Sequence, residues 1–270
     1  MSDNINLSIK ELYTPIYRIV EFDRFVSMLE SSENCLTRPA LWDDPFEDIL
    51  HFTQQHGKIR FSDSPANYFG SYVFAQCWTF LEENDLMWRV YSPDKDGIKL
   101  KSTPHKLLNS LNNSKKISKI INEPEVIDYI YKPEAIDEHN GTPIQEVEED
   151  IYEELKVFIG KVEYFTLDEI AQYLKGITGK SPIEDLVKSV FIKREPFKNE
   201  EEVRVGIYYF NAVFSGLYER VNYDININEF IDEVVFDPRI SYYKYKGLSK
   251  LLLDMGYTNP IKRSTIYDIP

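Results

Sequence analysis

Two periodicities alternate along the chain. Phe22, Phe25, Val26 and Leu29 recur at spacings of three and four, which predicts a helix over 21–29. Residues 72–79 instead form an unbroken β-branched and aromatic run, Tyr-Val-Phe-Ala-Gln-Cys-Trp-Thr. Gly70 bounds it on one side and the acidic turn at 82–85 on the other, so it predicts a strand. The same reasoning gives strands over 12–20, 35–38, 97–101, 203–212, 231–236 and 261–267. It gives helices over 85–91, with Asn84 or Asp85 as N-cap, and over 241–255, with Gly256 as C-cap. Pro238 lacks an N–H donor and ends the 231–236 strand at Asp237-Pro-Arg239. Residues 1–12 read as a polar lead-in, and 39–47 as a loop leading to a short helical stretch towards His51.

Residues 103–190 differ in character. Leu107, Leu108 and Leu111, then Ile117, Ile120 and Ile121, then 167–174, carry helical spacings, with strand-like pieces only at 126–131 and 157–164. An acidic span runs from Glu134 to Glu154, and 146–150 within it reads as a solvated helix face. The expectation is one α+β domain over 1–270, with a mixed, largely antiparallel two-sheet core and a mostly helical insertion at 103–190.

Charge narrows the function. Acidic residues number 45 against 31 basic ones, a net charge of -14, so long-range repulsion disfavours nonspecific nucleic-acid binding. Two cysteines, Cys35 and Cys77, do not make a disulfide scaffold and suit a reducing compartment. The N-terminus has no basic stretch followed by an apolar one, and no apolar run approaches the roughly 18 residues of a membrane span. A cytoplasmic protein is expected.

No zinc pattern, phosphate loop, dinucleotide glycine fingerprint or nucleophile elbow occurs. The chemistry gathers instead at 191–205, Phe-Ile-Lys-Arg-Glu-Pro-Phe-Lys-Asn-Glu-Glu-Glu-Val-Arg-Val. Strand alternation there puts Glu200, Glu202 and Arg204 on one face and Glu201 on the other. Crowded carboxylates are costly unless paired or used. Two readings follow: a solvated edge strand whose acids pair with Lys193, Arg194, Lys198 and Arg204, or a functional site. Asp43, Asp44, Glu47 and Asp48 offer a capped turn or a divalent-cation site.

Several islands in order carry a resemblance. They are Tyr17-Arg18, Trp42-Asp-Asp-Pro-Phe-Glu47, Cys77-Trp-Thr79, Leu86-Met-Trp88 with Tyr91, Gly97-Ile, and Lys193 through Phe197 into Glu200-x-Glu202-x-Arg204, with Asp237-Pro-Arg239 near the end. Together they resemble the bacterial DUF2971 family. Trp42-Asp43 stands where that family has Phe-Asn, and Cys-Trp-Thr where it has Cys-Phe-Ser. More distantly, the order Arg18, Thr79, Glu200-x-Glu202 is similar to ADP-ribosyltransferases of the Arg–Ser–Glu type.

That likeness implies their fold, NAD as substrate, and these roles. Arg18 holds the pyrophosphate, and Thr79 orients the ribose or the catalytic acid. Glu202 stabilises the oxocarbenium-like ribose, Glu200 activates an acceptor, and Trp88 and Tyr91 wall the nicotinamide pocket. It implies an unidentified macromolecular acceptor and a toxin or phage-defence role. Two other readings stay open. One is a non-catalytic module for a protein partner or regulator, with Arg18 and Glu202 as an internal ion pair. The other is a nuclease holding a divalent ion with Asp44, Glu47 and Glu202.

Overall fold

The computed structural model describes residues 3–42, 44–49, 73–114, 117–120, 156–177, 182–208 and 219–268. The chain begins with β1 (Asp3–Asn4), α1 (Ile9–Leu12), β2 (Ile16–Val20), α2 (Phe22–Ser31) and β3 (Glu33–Thr37). Then come β4 (Val73–Thr79), α3 (Asp85–Tyr91), β5 (Ile98–Ser102), α4 (Pro104–Asn113) and β6 (Ile117–Ile120). The next group is β7 (Lys156–Lys161), β8 (Glu163–Phe165), α5 (Leu167–Gly176), α6 (Pro182–Ser189) and β9 (Ile192–Arg194). The chain closes with β10 (Glu202–Tyr208), β11 (Arg220–Asp224), α7 (Ile227–Phe230), β12 (Glu233–Phe236), α8 (Tyr242–Asp254) and β13 (Ile261–Arg263).

Local chemistry sets the boundaries. Asn84 accepts a hydrogen bond from Met87 N and starts α3, and Thr103 does the same for α4 through Lys106 N. Thr166 and Glu169 close a capping box on α5. After α8, Gly256 takes φ +91°, a left-handed geometry that glycine adopts without steric cost.

The fold class is mixed α+β. Among the described residues, eleven strands join one sheet in the order β1-β7-β10-β4-β2-β5-β12-β13, with β3, β11 and β6 branching from it. Its pairings are antiparallel except β1 with β7 and β12 with β13. β8 and β9 form a separate parallel pair.

β4 is where the sheet parts. One edge is fully zipped to β10, from Glu202 opposite Thr79 to Tyr208 opposite Val73. The other edge is shared: β2 meets it at Tyr17–Thr79 and β3 at Thr37–Ala75. The two arms thus diverge at Gln76–Trp78. The expected two-sheet core takes the form of a single sheet forked at β4.

Alternation sorts the side chains. Phe74, Trp78, Val203, Val205 and Ile207 join Ile16, Leu100, Phe25 and Leu107 in the larger core under α2 and α4. Val73, Ala75, Phe158 and Tyr208 face the other way and pack with Ile170, Leu186, Val190 and Phe191 of the α5–α6 region. Thr79, Cys77, Glu202 and Arg204 belong to this second face by register.

Several expectations are corrected. Residues 1–12 hold β1 and α1, and the first long strand starts at Ile16 because 9–12 is capped as a helix by Ser8. Part of the 103–190 block belongs to the sheet itself, since β7 lies between β1 and β10. Residues 117–120 are a strand paired with β11, where apolar spacing alone suggested helix. β10 is a central strand with every residue buried, so the solvated-edge reading fails. The last strand is three residues long. The expectations for 126–131 and for the acidic span at 134–154 fall outside the described residues, as does the approach to His51 beyond Ile49.

Gly206 shows how tightly β10 is seated. A Cβ there would press on the Phe74 carbonyl and come within 2.7 Å of the Phe158 ring. Gly206→Ala is therefore expected to destabilise the chain by about 1–3 kcal/mol, read as a lower midpoint of denaturant unfolding. An unchanged midpoint would contradict the packing of β7, β10 and β4.

Candidate functional site

The site forms where the chain turns into β10. After Lys193 and Arg194 of β9, residues Glu195–Glu200 make a 3-10 turn, and Glu201 takes a left-handed φ of 44°. That turn delivers Glu202 and Arg204 to the same face, where the register sets Thr79 and Cys77 beside them. On the facing side, the 3-10 turn Pro45–Asp48 brings Glu47 inward, with the Asp44 side chain accepting from Phe46 N at its start.

These groups form a buried ion cluster. Arg204 is 0% exposed. It donates through Nε to Glu202 Oε1 at 2.8 Å, through Nη2 to Glu202 Oε2 at 3.0 Å and to Glu47 Oε2, and through Nη1 to the Val190 carbonyl. Lys193 Nζ reaches Glu47 at 3.1 Å, Glu200 at 2.6 Å and Glu202 at 3.1 Å. Arg194 pairs with Asp44 at 3.0 Å. Aromatic rings roof the cations: Trp42 lies 4.7 Å from the Arg204 guanidinium, Phe197 lies 4.9 Å from Lys193, and Phe46 lies 4.7 Å from Arg194.

The charge balance fixes protonation. Burial works against the ionised form of Glu202, yet Arg204 and then Lys193 overcome it and hold the carboxyl down at about 2. Burial likewise opposes charge on Lys193 and Arg204, and their carboxylate neighbours push both above their ordinary values. Glu47 goes the other way: its desolvation outweighs Arg204 and raises it. Burial and the neighbouring Glu202 charge push the Cys77 thiol well up, so it is a neutral partner of that carboxylate.

Thr79 donates its hydroxyl to the Glu200 carbonyl and accepts from Leu81 N at 3.0 Å, pinning the loop that carries the acids. Tyr164 Oη accepts from Glu202 N at 2.9 Å. Tyr91 is 48% exposed, and its phenol is pushed up to about 12, first by desolvation and next by Glu200. Glu202, Tyr164, Phe80, Thr14 and Lys198 line a groove of about 900 Å³.

The residues picked out by sequence are thus distributed unevenly. Glu202, Glu200, Thr79 and Tyr91 come together. Trp88 does not: it is fully buried and donates to Glu83 at 2.6 Å, so it supports the fold rather than walling a pocket. Arg18 sits between Ile16 and Val20 and so alternates to the sheet face opposite Glu202. It forms no pair with Glu202. The two share one neighbour, Cys77, which hydrogen-bonds Glu202 and also acts on the Arg18 charge where the sheet parts. The internal Arg18–Glu202 pair of the binding-module reading is therefore replaced by Arg204–Glu202. Glu47, Cys77 and Glu202 have ligand-type atoms within 4.8 Å of one another, but Lys193 and Arg204 already neutralise these carboxylates, which disfavours a divalent ion there. Glu47 was visible in the sequence as part of Asp-Pro-Phe-Glu and as a candidate cation ligand but not as a partner of Arg204, and Tyr164 carried no signal.

A family model described as "Protein of unknown function (DUF2971)" matches residues 87–205, which bears out the resemblance over that stretch. It includes Tyr91, Lys193, Glu200, Glu202 and Arg204, while Arg18, Glu47 and Thr79 precede it. No curated protein matches. Solved structures similar to this chain include Thermus sp. 2.9 DarT in complex with NAD+, at 12% identity and TM-score 0.34, covering 93% of this chain and 95% of that one. Another is Thermus sp. 2.9 DarT in complex with ADP-ribosylated ssDNA, at 10% identity and TM-score 0.35, covering 98% of each. Among the described residues no helix is long and apolar enough to cross a membrane.

Arg204→Met leaves two buried carboxylates with less cation, and is expected to cost about 3–5 kcal/mol at pH 7. In the folded wild type, Glu202 is depressed to about 2, so the stability it contributes is present above the unfolded value near 4.5 and drains away as pH falls towards 2. The gap between wild type and variant should therefore narrow below about pH 4.5. Unfolding midpoints measured from pH 7 to 3 check this, and a constant gap would contradict it.

Proposed function

We propose that the chain is an NAD-utilising, ADP-ribosyltransferase-like enzyme that cleaves the nicotinamide–ribose bond and transfers ADP-ribose to a macromolecular acceptor. One observation carries the reading. Glu202 is ionised, held from three sides, and still borders a groove whose volume of about 900 Å³ suits a nucleotide-sized ligand.

The residues support the steps in order. As the C1′–N bond breaks, its electron pair leaves with nicotinamide and positive charge develops on the ribose. A fixed carboxylate at Glu202 stabilises that charge without reorganising. Arg204, Lys193 and the Tyr164 hydroxyl act through Glu202 and hold it in place. Thr79 acts through the Glu200 main chain. Glu200 is the more open acid, about a third exposed, and is placed to take the acceptor's proton as the new C1′ bond forms. Tyr91, whose phenol is kept neutral by desolvation and then by the Glu200 charge, serves as the wall on that side. Arg18, on the other face of the sheet and outside the lining of this groove, has no role in these steps.

The test is nicotinamide release from NAD by the full chain. Wild type is expected to release it, and Glu202→Gln to lower the rate by at least about a hundredfold while the far-ultraviolet circular dichroism stays unchanged. A wild-type chain that neither binds NAD nor releases nicotinamide would overturn the reading.

A further inference from the structure

The tyrosine hydroxyls of this chain use their protons in different ways. Tyr173, Tyr245 and Tyr257 donate to main-chain carbonyls, and Tyr267 donates to Asp85. Tyr164 and Tyr223 accept instead. Tyr223 takes its bond from Asn34 within the larger core. Tyr164 takes its bond from the Glu202 main-chain N–H at 2.9 Å, and it lines the groove.

A phenol has a single proton to give. The Glu202 N–H points at the Tyr164 oxygen, so the phenol proton points elsewhere. No acceptor for it occurs among the described residues.

Two separate restraints place this hydroxyl. β8 and β9 pair with Tyr164 opposite Lys193, whose Nζ binds Glu200 and Glu202. The bond from Glu202 N then sets the phenol oxygen against the first residue of β10. The proton also stays on. Desolvation pushes the phenol up to about 12, and the Glu202 and Glu200 charges add to this against the bond from the Glu202 N–H.

The donor differs from the cations around it. Lys193 and Arg204 are engaged by Glu47 and Glu202, and Lys193 by Glu200 as well. Tyr164 offers the groove an uncharged O–H with its direction already set. Under the enzyme reading, Glu202 faces the ribose carbon that loses nicotinamide. The ligand oxygens nearest that carbon are the hydroxyls of the same ribose.

We infer that Tyr164 touches substrate directly, donating its hydroxyl proton to a hydroxyl oxygen of the ribose that carries nicotinamide. The inference rests on the enzyme reading for the identity of that sugar. One oxygen then serves two partners: it accepts from the acid's own main chain and donates to the sugar. The orientation of the ribose is thereby tied to the position of the carboxylate.

The test measures nicotinamide release by the full chain from NAD and from two analogues, one lacking the 2′-hydroxyl and one the 3′-hydroxyl of the nicotinamide ribose. Wild type, Tyr164→Phe and Tyr173→Phe are compared. Tyr173 lies outside the groove lining, so Tyr173→Phe should leave KM for NAD unchanged. Tyr164→Phe should raise it about three- to tenfold. With wild type, one analogue should show a similar rise in KM. With Tyr164→Phe that analogue should show no further rise, because the bond it would lose is already gone. If Tyr164→Phe keeps the wild-type KM and lowers only kcat, or if each analogue is weakened equally with both proteins, Tyr164 serves Glu202 alone. The inference then falls and the enzyme reading stands. Should circular dichroism show Tyr164→Phe unfolded, wild type still decides: a rise in KM for one analogue supports the inference, and two analogues that match NAD overturn it. A wild-type chain that neither binds NAD nor releases nicotinamide overturns the enzyme reading and, with it, the contact to ribose.

Discussion

The pairing of Arg204 with Glu202 is the constraint from which the site follows. Both lie on a strand enclosed on each side, and neither charge could stand there alone. Arg204 also ties in Glu47 and the Val190 carbonyl, so one guanidinium joins the turn at Pro45–Asp48, the end of α6 and the central strand. Lys193 repeats the device from β9, binding Glu47, Glu200 and Glu202. Removing either cation leaves carboxylates facing each other in a dry space. The cluster thereby trades stability for an acid whose charge and position are both fixed.

The second constraint is the parting of the sheet. Had β2 stayed zipped along β4, the two arms would form one continuous sheet. Instead β4 is held by β2 only at Thr79 and by β3 only at Ala75. The interval is spanned by side chains: Gln76 donates to Asn34 Oδ1 at 3.1 Å and to the Cys35 carbonyl at 3.3 Å, and accepts from Trp78 Nε1 at 2.9 Å. Cys77 lies in that interval, opposite Arg204.

Much of this was legible in the sequence, and the reasons for the rest are physical. Strict alternation made β10 visible and put Glu202 and Arg204 on one face. Capping residues at Asn84 and a long apolar run at 73–79 placed α3 and β4. Whether Arg18 shares a face with Glu202 depends on Tyr17, Thr79 and Glu202 lying in one row, and no local pattern encodes cross-strand register. Glu47 and Arg204 are 157 positions apart, so their contact is equally hidden. Trp88 and Tyr91 share a helical spacing but point to different environments, one into the core and one to the surface. The short apolar run at 117–120 fits helix and strand alike, and pairing with β11 decides it. β7 lay within a region that reads as helical on either side, so its place in the sheet interior was missed.

The most direct measurement is the titration of the Glu202 side-chain carboxyl in the folded chain, followed by carbon NMR with Glu202→Gln for assignment. A carboxylate that stays ionised through every pH at which the chain is folded, heading for a midpoint near 2, is the predicted result. A midpoint at the ordinary glutamate value of about 4.3 in the folded chain would contradict the account at its root.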